Sequence, residues 1–344
     1  MRVLLVTDAW YPQINGVVRT LDTLATVLRA QGHPVHMLTP QGFLTLPCPT
    51  YPEIRLSLFP GRKVAEVLDE FGADAIHIAT EGPLGMAARR ICVARGLRFT
   101  TSFHTRFPEY LHARFKVPPS WLYPWLRRFH NAGEGIMVAT ESVRRELEER
   151  GFRNVLAWTR GVDTELFRPR DKDFLAHLPR PIWLNVGRVA VEKNIKAFLE
   201  LPLDGTKLVV GDGPQLQELK REYSRVRFAG AKKGEELARY YAASDAFVFP
   251  SRTDTFGLVI LEALASGIPV AAFPVGGPLD VIGDSGVGVL DEDLLAACYT
   301  ALTIPGERCR AYAQRFSWEA CARQFLENLR PIPEVEAFAL AAGE

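Results

Sequence analysis

Short apolar runs alternate with amphipathic segments along the whole chain. Within the amphipathic segments apolar positions recur at helical spacing, as at Val17, Leu21, Leu24 and Leu28. Strands that alternate with helices are typical of parallel sheets joined by crossover helices, so the sequence predicts an α/β protein with two Rossmann-like halves. The predicted strands are residues 3–7, 35–38, 75–79, 99–103, 136–140, 182–186, 207–210, 226–229, 246–249 and 270–273.

A stretch rich in prolines and charges interrupts both patterns at residues 166–174 and 178–181. Such a stretch is typical of a connection between domains. We therefore expect a first domain of residues 1–168 and a second of residues 169–315. The remaining residues, 316–344, should contain a helix that packs back on the first domain.

The composition is that of an ordinary globular protein, with 344 residues of which 47% are hydrophobic and 24% charged. These values exclude a disordered chain or a disulfide scaffold. The apolar run before Asp8 is too short for a secretory signal, and no run reaches the roughly 18 apolar residues that a membrane span needs. The five cysteines form no C-x-x-C pair, which favours reduced thiols in a cytoplasmic protein over disulfides or zinc.

The near-neutral total charge hides an asymmetry. Residues 1–170 carry 22 basic and 16 acidic side chains, whereas the rest of the chain carries 19 and 24. The basic excess of the first part predicts an anionic partner for it.

Candidate ligand chemistry follows the strand predicted at 182–186. Gly187 comes directly after it, and Arg188 and Lys193 flank the start of a helix. Two cations beside unsatisfied helical N–H groups predict a diphosphate site. The alternative is that both are solvated surface charges.

A second candidate follows the strand predicted at 246–249. Asp254 precedes a helix start, Gly257 exposes the amides of Leu258 and Val259, and Glu262 lies about one turn into the helix. The carboxylates could bind sugar and ribose hydroxyls while the amides receive phosphate. The alternatives are a capping-region residue for Asp254 and a helix-face charge for Glu262.

The first strand leads into Asn15-Gly16 at the start of a helix. A lone glycine allows a ligand close to the backbone, but the G-x-G-x-x-G pattern of nicotinamide sites is missing. Gly16 could also be a plain turn residue. His104 follows another predicted strand and could likewise be a structural histidine.

Taken in order, these segments resemble the retaining glycosyltransferases of family 4. The resemblance covers nearly the whole chain and implies the GT-B fold, with two Rossmann-like domains whose parallel sheets face a central cleft. Within the family, the chain is most similar to the sulfoquinovosyl-, glucosyl- and mannosyl-diacylglycerol synthases and phosphatidylinositol mannosyltransferases. It departs from the family's E-x7-E pattern, because Asp254 replaces the first glutamate. The motifs are the Gly16 loop, His104, Arg-Gly-Val-Asp at 160–163, Gly-Arg…Glu-Lys at 187–193, Gly-Asp-Gly-Pro at 211–214, the segment 254–262 and Phe-Ser-Trp-Glu at 316–319.

The resemblance implies a role for each candidate residue. Arg188 and Lys193 neutralise the departing nucleotide diphosphate, Glu262 holds the ribose, and Asp254 engages the transferred sugar. His104 contacts the sugar or the acceptor. The other implied donor-binding residues are Gly16, Gly187, Gly230, Lys232, Phe256, Gly257, Leu258 and Val259, of which Gly230 and Lys232 would meet the base.

The implied reaction is retaining and metal-independent, and it needs no cofactor. A hexosyl group moves from a nucleotide diphosphate sugar, with UDP-sugars favoured, to a membrane glycerolipid such as diacylglycerol. The alternatives are a GDP-mannose-dependent mannosyltransferase with a lipid or glycan acceptor, a sugar-nucleotide epimerase, and a non-catalytic sugar-binding protein. The carboxylates at 291–293 are expected to cap a helix rather than bind metal.

Aromatic and basic residues are interleaved at 106–130, a composition typical of a membrane-surface segment. It favours a peripheral protein on the inner face of the membrane, attached partly through an exposed rigid turn at 118–124. Alternatively, the aromatics fill the core and line an acceptor pocket. Nucleic acid is not expected as a partner, because no recognition motif occurs. The predicted acceptor or membrane residues are Arg106, Tyr110, Trp121, Trp125, Arg127 and Arg128.

Overall fold

The computed structural model describes residues 1–13, 15–48, 51–254 and 256–333. Its contacts divide the chain into two units. The first consists of Met1–Pro108, Val117–Thr159 and the residues from Glu319 onward, and the second of Glu109–Lys116 and Arg160–Trp318. Neither unit is therefore a single continuous stretch of sequence.

The helices and strands alternate along the chain. The elements up to residue 157 are β1 (Val3–Val6), α1 (Gly16–Ala30), β2 (Val35–Leu38), β3 (Thr45–Cys48), β4 (Tyr51–Ser57), α2 (Gly61–Phe71), β5 (Ala75–Ile78), α3 (Pro83–Arg95), β6 (Thr100–Phe103), α4 (Phe107–Phe115), α5 (Pro119–His130), β7 (Gly135–Val138), α6 (Glu141–Glu149) and β8 (Val155–Ala157). The later elements are β9 (Ile182–Val186), α7 (Ile195–Leu199), β10 (Thr206–Val210), α8 (Leu216–Glu222), β11 (Arg227–Gly230), α9 (Gly234–Ala243), β12 (Ala246–Phe249), α10 (Leu258–Ala265), β13 (Val270–Ala272), α11 (Gly276–Val281), β14 (Gly288–Leu290), α12 (Leu294–Ala301), α13 (Gly306–Ala313) and α14 (Trp318–Asn328).

The described part of the first unit contains a six-stranded parallel sheet in the order β2-β1-β5-β6-β7-β8. Val3 in β1 lies opposite Val35 in β2 and Ala75 in β5. Every residue of β1, β5, β6 and β7 is buried, as expected for parallel strands covered on both faces. The α/β class predicted from the apolar runs is confirmed.

The described part of the second unit also contains six parallel strands, in the order β11-β10-β9-β12-β13-β14. This is the Rossmann order, in which the direction of winding reverses between β9 and β12. Ligands of such sheets bind beyond the carboxyl ends of the strands at that reversal. The residues that follow β9 and β12 are thus the ones most favourably placed for ligand chemistry.

Strands β3, β4, β8 and β14 were not predicted. Strands β3 and β4 form an antiparallel hairpin beside the main sheet, and Pro47 interrupts the apolar pattern of β3. Strands β8 and β14 have three residues each, too few to show a period.

The residues predicted as a linker pack into the second unit. A short 3-10 helix spans Lys172–Leu175. Arg170 pairs with Glu235, and Lys172 pairs with Asp245 at 2.7 Å. These ion pairs attach the proline-rich stretch to the body of the unit.

Residues 319–333 pack within the first unit. The indole Nε1 of Trp158 donates to the Cys321 carbonyl at 3.3 Å, and the Thr159 amide donates to Gln324 Oε1 at 2.7 Å. The last described turn of the chain is also attached, because the Ile332 amide donates to the Asp74 carbonyl at 2.8 Å. Among all the described helices, none has the length and apolarity needed to cross a membrane.

A buried carboxylate joins β1 to α3 in the first unit. Asp8 accepts hydrogen bonds from the amides of Leu84 at 2.8 Å and Gly85 at 3.2 Å, and from the Thr80 hydroxyl at 2.9 Å. Two of these donors belong to the first turn of α3, where N–H groups lack helical partners. Burial raises the pKa of Asp8 to about 6, against the lowering effect of these hydrogen bonds.

This raised pKa predicts a pH-dependent stability. Folded Asp8 holds its proton up to about pH 6, whereas an aspartate in the unfolded chain has a pKa of 3.8. The stability due to protonated Asp8 is therefore complete below about pH 4 and is lost as the pH rises through about 6. We expect a loss of roughly 3 kcal/mol over that window in the wild type but not in Asp8→Asn, measured by urea denaturation of both proteins.

Asp74→Asn provides a control of opposite sign. Burial alone would raise the pKa of Asp74, but hydrogen bonds from the backbone and guanidinium of Arg2 outweigh it and lower the pKa. Its stabilisation is present above its unfolded pKa and is lost as the pH falls. Identical pH profiles for wild type and Asp8→Asn would contradict the assignment to Asp8.

Candidate functional site

The loop after β9 is closely packed against its neighbours. Asn185, in β9, donates from Nδ2 to the Val248 carbonyl in β12 at 3.0 Å. The Gly187 amide donates to the Val210 carbonyl at 3.0 Å, and the Val189 amide to the Asp212 carbonyl at 2.9 Å. This backbone pairing fixes the path of the chain on both sides of Arg188, whose side chain is partly exposed.

Two positions of the Gly-Asp-Gly-Pro segment require glycine, because the segment lies against the loop after β9. A Cβ atom added to Gly211 would lie 1.8 Å from the Gly187 carbonyl oxygen, and one added to Gly213 would lie 2.4 Å from the Val189 carbonyl oxygen. Only glycine allows the two loops to approach so closely.

Lys193 and Asp254 meet between the loops that follow β9 and β12. Their Nζ and Oδ1 atoms are 2.5 Å apart, and the two side chains are 25% and 14% exposed. Lys193 ends a 3-10 turn of Val191–Lys193. The next residue, Asn194, donates from Nδ2 to the Pro250 carbonyl at 3.0 Å and so joins the same two loops.

The electrostatics of this pair keep Lys193 charged. Burial alone would lower the pKa of Lys193, but the nearby Asp254 carboxylate and other anionic neighbours outweigh it and raise the pKa. Asp254 Oδ2 is buried and accepts no hydrogen bond from any described residue. A ligand hydroxyl could donate to that oxygen while Lys193 faces an anionic group.

The start of α10 lies close in sequence to Asp254. Gly257 is the N-cap residue at φ +83°, a left-handed conformation that glycine adopts readily, and no side chain of the described residues caps this helix end. Phe256 is buried and Leu258 and Val259 are partly exposed. The first amides of α10 are thus open to an anionic ligand.

Glu262 lies on the buried face of α10. It is 3% exposed, and its Oε2 accepts a hydrogen bond from the Tyr241 hydroxyl at 2.9 Å. The alternative of a solvated helix-face charge is therefore wrong. No sequence pattern indicates the role of Tyr241, because a tyrosine at helical spacing in α9 is indistinguishable from an ordinary core residue.

The residues predicted to meet the base follow β11. Gly230 has φ +73°, and a Cβ there would meet no described atom within 4 Å. The Lys232 ammonium lies 2.6 Å from Glu236 Oε1, one helical turn further along. Lys232 is therefore held by a surface ion pair.

Gly16 and His104 belong to the first unit. Gly16 is exposed and begins α1, with Asn15 as N-cap accepting from the Val18 amide at 3.0 Å. The His104 ring packs edge-on against Trp158 with centroids 5.6 Å apart. Both sit at the carboxyl-end side of their strands, as the sequence predicted.

The aromatic segment divides into buried and exposed residues. Tyr123 and Phe129 are in the core, whereas Trp121 and Trp125 are exposed on α5. Arg106 pairs with Glu146 at 2.8 Å, and Arg127 donates to the Arg150 carbonyl at 3.0 Å, while Arg128 is exposed on the face of the two tryptophans. The exposed rigid turn predicted at 118–124 is wrong, because a proline is compatible with the first turn of a helix and α5 begins at Pro119.

Tyr110 does not share this exposed face. It belongs to residues 109–116, which cluster with the second unit. There it lies near Lys193, Asp254 and Glu192. The sequence grouped Tyr110 with the acceptor or membrane residues, and no local pattern reveals this packing.

The acidic triplet at 291–293 caps a helix, as predicted. Asp293 is the N-cap of α12 and accepts from the Ala296 amide at 3.0 Å. Within the described ranges, no three His, Cys, Asp or Glu side chains form a group suited to a metal ion.

Two Rossmann-like units, with cationic and carboxylate side chains at the winding reversal of the second, define a glycosyltransferase of the GT-B fold. The family description Glycosyltransferase Family 4 matches residues 14–166, and Glycosyl transferases group 1 matches residues 180–303. The chain belongs to glycosyltransferase family 4, and the predicted family and fold are confirmed.

Similar proteins support this assignment. The alpha-monoglucosyldiacylglycerol synthase of Streptococcus pneumoniae is 30% identical over 88% of this chain and 78% of its own. The GDP-mannose-dependent alpha-mannosyltransferase of Mycolicibacterium smegmatis is 30% identical over 84% of each chain. Among solved structures, sucrose-phosphate synthase from Thermosynechococcus elongatus matches 95% of this chain and 97% of its own with a TM-score of 0.74 at 23% identity, which shows a shared fold.

The glycine packing generates a matched prediction. Gly187 and Gly211 have nearly the same φ, +155° and +153°, but a Cβ at Gly187 would meet no atom of the described residues within 4 Å. Gly211→Ala should therefore lower the free energy of unfolding by about 1–3 kcal/mol more than Gly187→Ala does. Chemical denaturation of the two variants measures the difference, and equal losses would show that the loops do not pack this closely.

Proposed function

We propose that this enzyme transfers a hexosyl group from a UDP-sugar to a hydroxyl of a membrane glycerolipid, with retention of configuration and without a metal ion. The observation that carries the proposal is the Lys193–Asp254 pair, which presents a held cation and a carboxylate oxygen with no described partner at the winding reversal. A diphosphate and a sugar hydroxyl are complementary to those two groups.

Charge development sets the role of the cations. When the bond between the anomeric carbon and the phosphate oxygen breaks, negative charge grows on the departing oxygen. Lys193 and Arg188, together with the first amides of α10, stabilise that charge without reorganising. Cations held in this way supply what a metal ion would otherwise supply, which supports a metal-independent reaction.

The stereochemical proposal is a front-face substitution. The acceptor hydroxyl attacks the face of the sugar that the diphosphate leaves, and the departing phosphate oxygen takes the acceptor's proton. The carboxylates near the site support this route over a covalent intermediate, because Asp254 is paired with Lys193 and Glu262 is hydrogen-bonded to Tyr241. The remaining Oδ2 of Asp254 is assigned to a sugar hydroxyl rather than to bond formation at the anomeric carbon.

Different relatives support the proposed acceptor and the proposed donor. The diacylglycerol synthase among the relatives favours a glycerolipid acceptor and, through the branch to which the chain is similar, a UDP-sugar. The GDP-mannose-dependent relative, equally identical to this chain, favours a second candidate, a mannosyltransferase that uses GDP-mannose.

Purified enzyme should transfer sugar from one nucleotide donor to diacylglycerol in mixed micelles, with full activity in EDTA. UDP-glucose, UDP-galactose, UDP-sulfoquinovose and GDP-mannose are compared by mass spectrometry of the lipid products, and NMR of the product gives the anomeric configuration. Lys193→Ala should lower kcat about 100-fold, roughly 3 kcal/mol, because the cation at the leaving group is lost.

Three results would contradict parts of this proposal. Transfer from GDP-mannose alone would replace the UDP donor, and an inverted product or a trapped glycosyl-enzyme would exclude the front-face route. Lys172→Ala is the matched control, because Lys172 is an exposed lysine of the same unit and pairs with Asp245. It should retain far more activity than Lys193→Ala.

We also propose that α5 docks on the inner face of an anionic membrane. Trp121 is 74% exposed, and Trp125 and Arg128 follow it on the same helical face. Tryptophan rings seat at the level of lipid headgroups, while arginine is attracted to anionic lipid.

The double variant Trp121→Ala/Trp125→Ala should bind vesicles of phosphatidylglycerol and phosphatidylcholine at least about tenfold more weakly in a sedimentation assay. Phe59→Ala is the control, since Phe59 is 94% exposed in the same unit but lies outside α5. An equal loss in both variants would show that exposed aromatics in general, rather than α5, determine binding.

A further inference from the structure

A cavity of about 450 Å³ lies in the second unit, at the carboxyl end of α10. It is lined by the end of the proline-rich stretch, by residues 266–268 directly after α10, and by α13. The amides and the Asp254 carboxylate that we assign to the donor lie at the other end of α10, which is about 12 Å long. The cavity is therefore separate from the donor site.

Positive charge predominates in the wall of this cavity. Arg170, Lys172 and Arg310 are cationic, whereas Glu307 is the one carboxylate among the described residues that line it. Such an excess of cations attracts an anionic ligand. The Lys172 side chain is half exposed and pairs with Asp245, so the two arginines are the cations best placed for a ligand.

Arg170 is anchored in the cavity wall by its terminal nitrogens. They pair with Glu235, and Nη2 also donates to the Leu166 carbonyl at 2.7 Å. The remaining nitrogen, Nε, is buried and has no hydrogen-bond partner among the described residues. The guanidinium is thus fixed in place with one donor unused.

Arg310 is anchored by backbone carbonyls. Its Nη1 donates to the carbonyls of Thr164 at 2.9 Å, Phe167 at 2.8 Å and Ala265 at 3.0 Å. These bonds leave Nε and Nη2 without a partner in the part of the chain that the structure describes. A fixed guanidinium with donors to spare is suited to an anion with several oxygens.

Ser266 adds a buried hydroxyl to the same wall. It is the C-cap residue of α10 and is 3% exposed, and its amide donates to the Glu262 carbonyl at 3.0 Å. Its Oγ atom, like Arg170 Nε, has no hydrogen-bond partner among the described residues. Buried polar atoms are ordinarily hydrogen-bonded, so two unpartnered ones in the wall of one cavity indicate that a polar ligand completes them.

The start of α13 contributes backbone donors. Gly306 and Glu307 are its first two residues and line the cavity, and no side chain of the described residues caps this helix end. The first amides of a helix lack helical partners and favour an anion. The Glu307 carboxylate in this turn is exposed to solvent, where salt screens its charge.

We propose that this cavity is a second ligand site, which binds the phosphate group of a small organic phosphate. Guanidinium donors, a serine hydroxyl and helix amides are complementary to the oxygens of a phosphate monoester. A phosphate group has five non-hydrogen atoms, and at roughly 30 Å³ each, the volume of a water molecule, they fill about a third of the cavity. The organic part of the ligand occupies the rest, beside Ala242, Ile268 and Ala311. The proposal does not depend on the proposed glycosyl transfer.

Calorimetric titration of the substrate-free protein tests the site. Glycerol 3-phosphate, glucose 1-phosphate and glucose 6-phosphate are compared with glycerol, glucose and inorganic phosphate. At least one ester should bind with a Kd below about 1 mM and about tenfold more tightly than inorganic phosphate, whereas its parent alcohol should not bind. Failure of all three esters to bind, or equally tight binding of inorganic phosphate, would overturn the proposal.

Ser266→Ala and Arg170→Lys each remove one of the unpartnered donors. Each should raise the Kd of the ester about tenfold, because a hydrogen bond to a charged group is lost. Arg170→Lys keeps the positive charge beside Glu235. Lys193→Ala should leave this Kd unchanged, and a Kd raised as much in Lys193→Ala as in Ser266→Ala would place the ester in the donor site and refute a second site.

Ser244→Ala is the matched control for Ser266→Ala. Ser244 is also a buried C-cap serine of the second unit, at the end of α9, but its hydroxyl donates to the Tyr240 carbonyl at 2.8 Å. Ser244→Ala should lower the free energy of unfolding in urea and leave the Kd unchanged. Ser266→Ala should raise the Kd without lowering the stability of the ligand-free protein. An equal loss of stability in both variants would show that the Ser266 hydroxyl is bonded within the protein, which would overturn the proposal.

Discussion

The ion pair between Lys193 and Asp254 is the interaction on which the site depends. A lysine held beside a carboxylate stays charged despite burial, and a carboxylate with one oxygen committed to that lysine still has a second oxygen for a ligand. Neither group would be stable in this position alone, because an unpaired buried charge is costly. The pair is thus a structural element of the second unit and the centre of the proposed donor site.

Topology brings the pair together. The two residues are 61 positions apart, but they follow adjacent strands at the point where the winding of the sheet reverses. The glycines of the 211–214 segment let a third loop pack against the first. The sheet of the second unit and the 211–214 segment therefore fix the positions of the two short loops that follow β9 and β12.

The sequence predicted what depends on local pattern and sheet topology. Strands at 182–186 and 246–249 have the predicted bounds, the first helix begins at Gly16 as the Asn15-Gly16 pair indicated, and Asp293 caps α12 as predicted. Pro119 misled the prediction, because proline is common both in turns and at the start of helices. Thr253 and Tyr241 were not recognised as partners of the site, since their hydrogen bonds depend on tertiary packing that has no sequence period.

The interleaving of the two units has a consequence for biosynthesis. Residues 109–116 leave the ribosome before the rest of the second unit exists, and the first unit includes residues 319–333, which emerge only after the second unit has been made. Domains ordinarily fold as units in the order of their synthesis. Here neither unit can complete its contacts early. Helix α4 and the edge of the first sheet near β8 therefore remain partly exposed until the residues that pack against them have been translated.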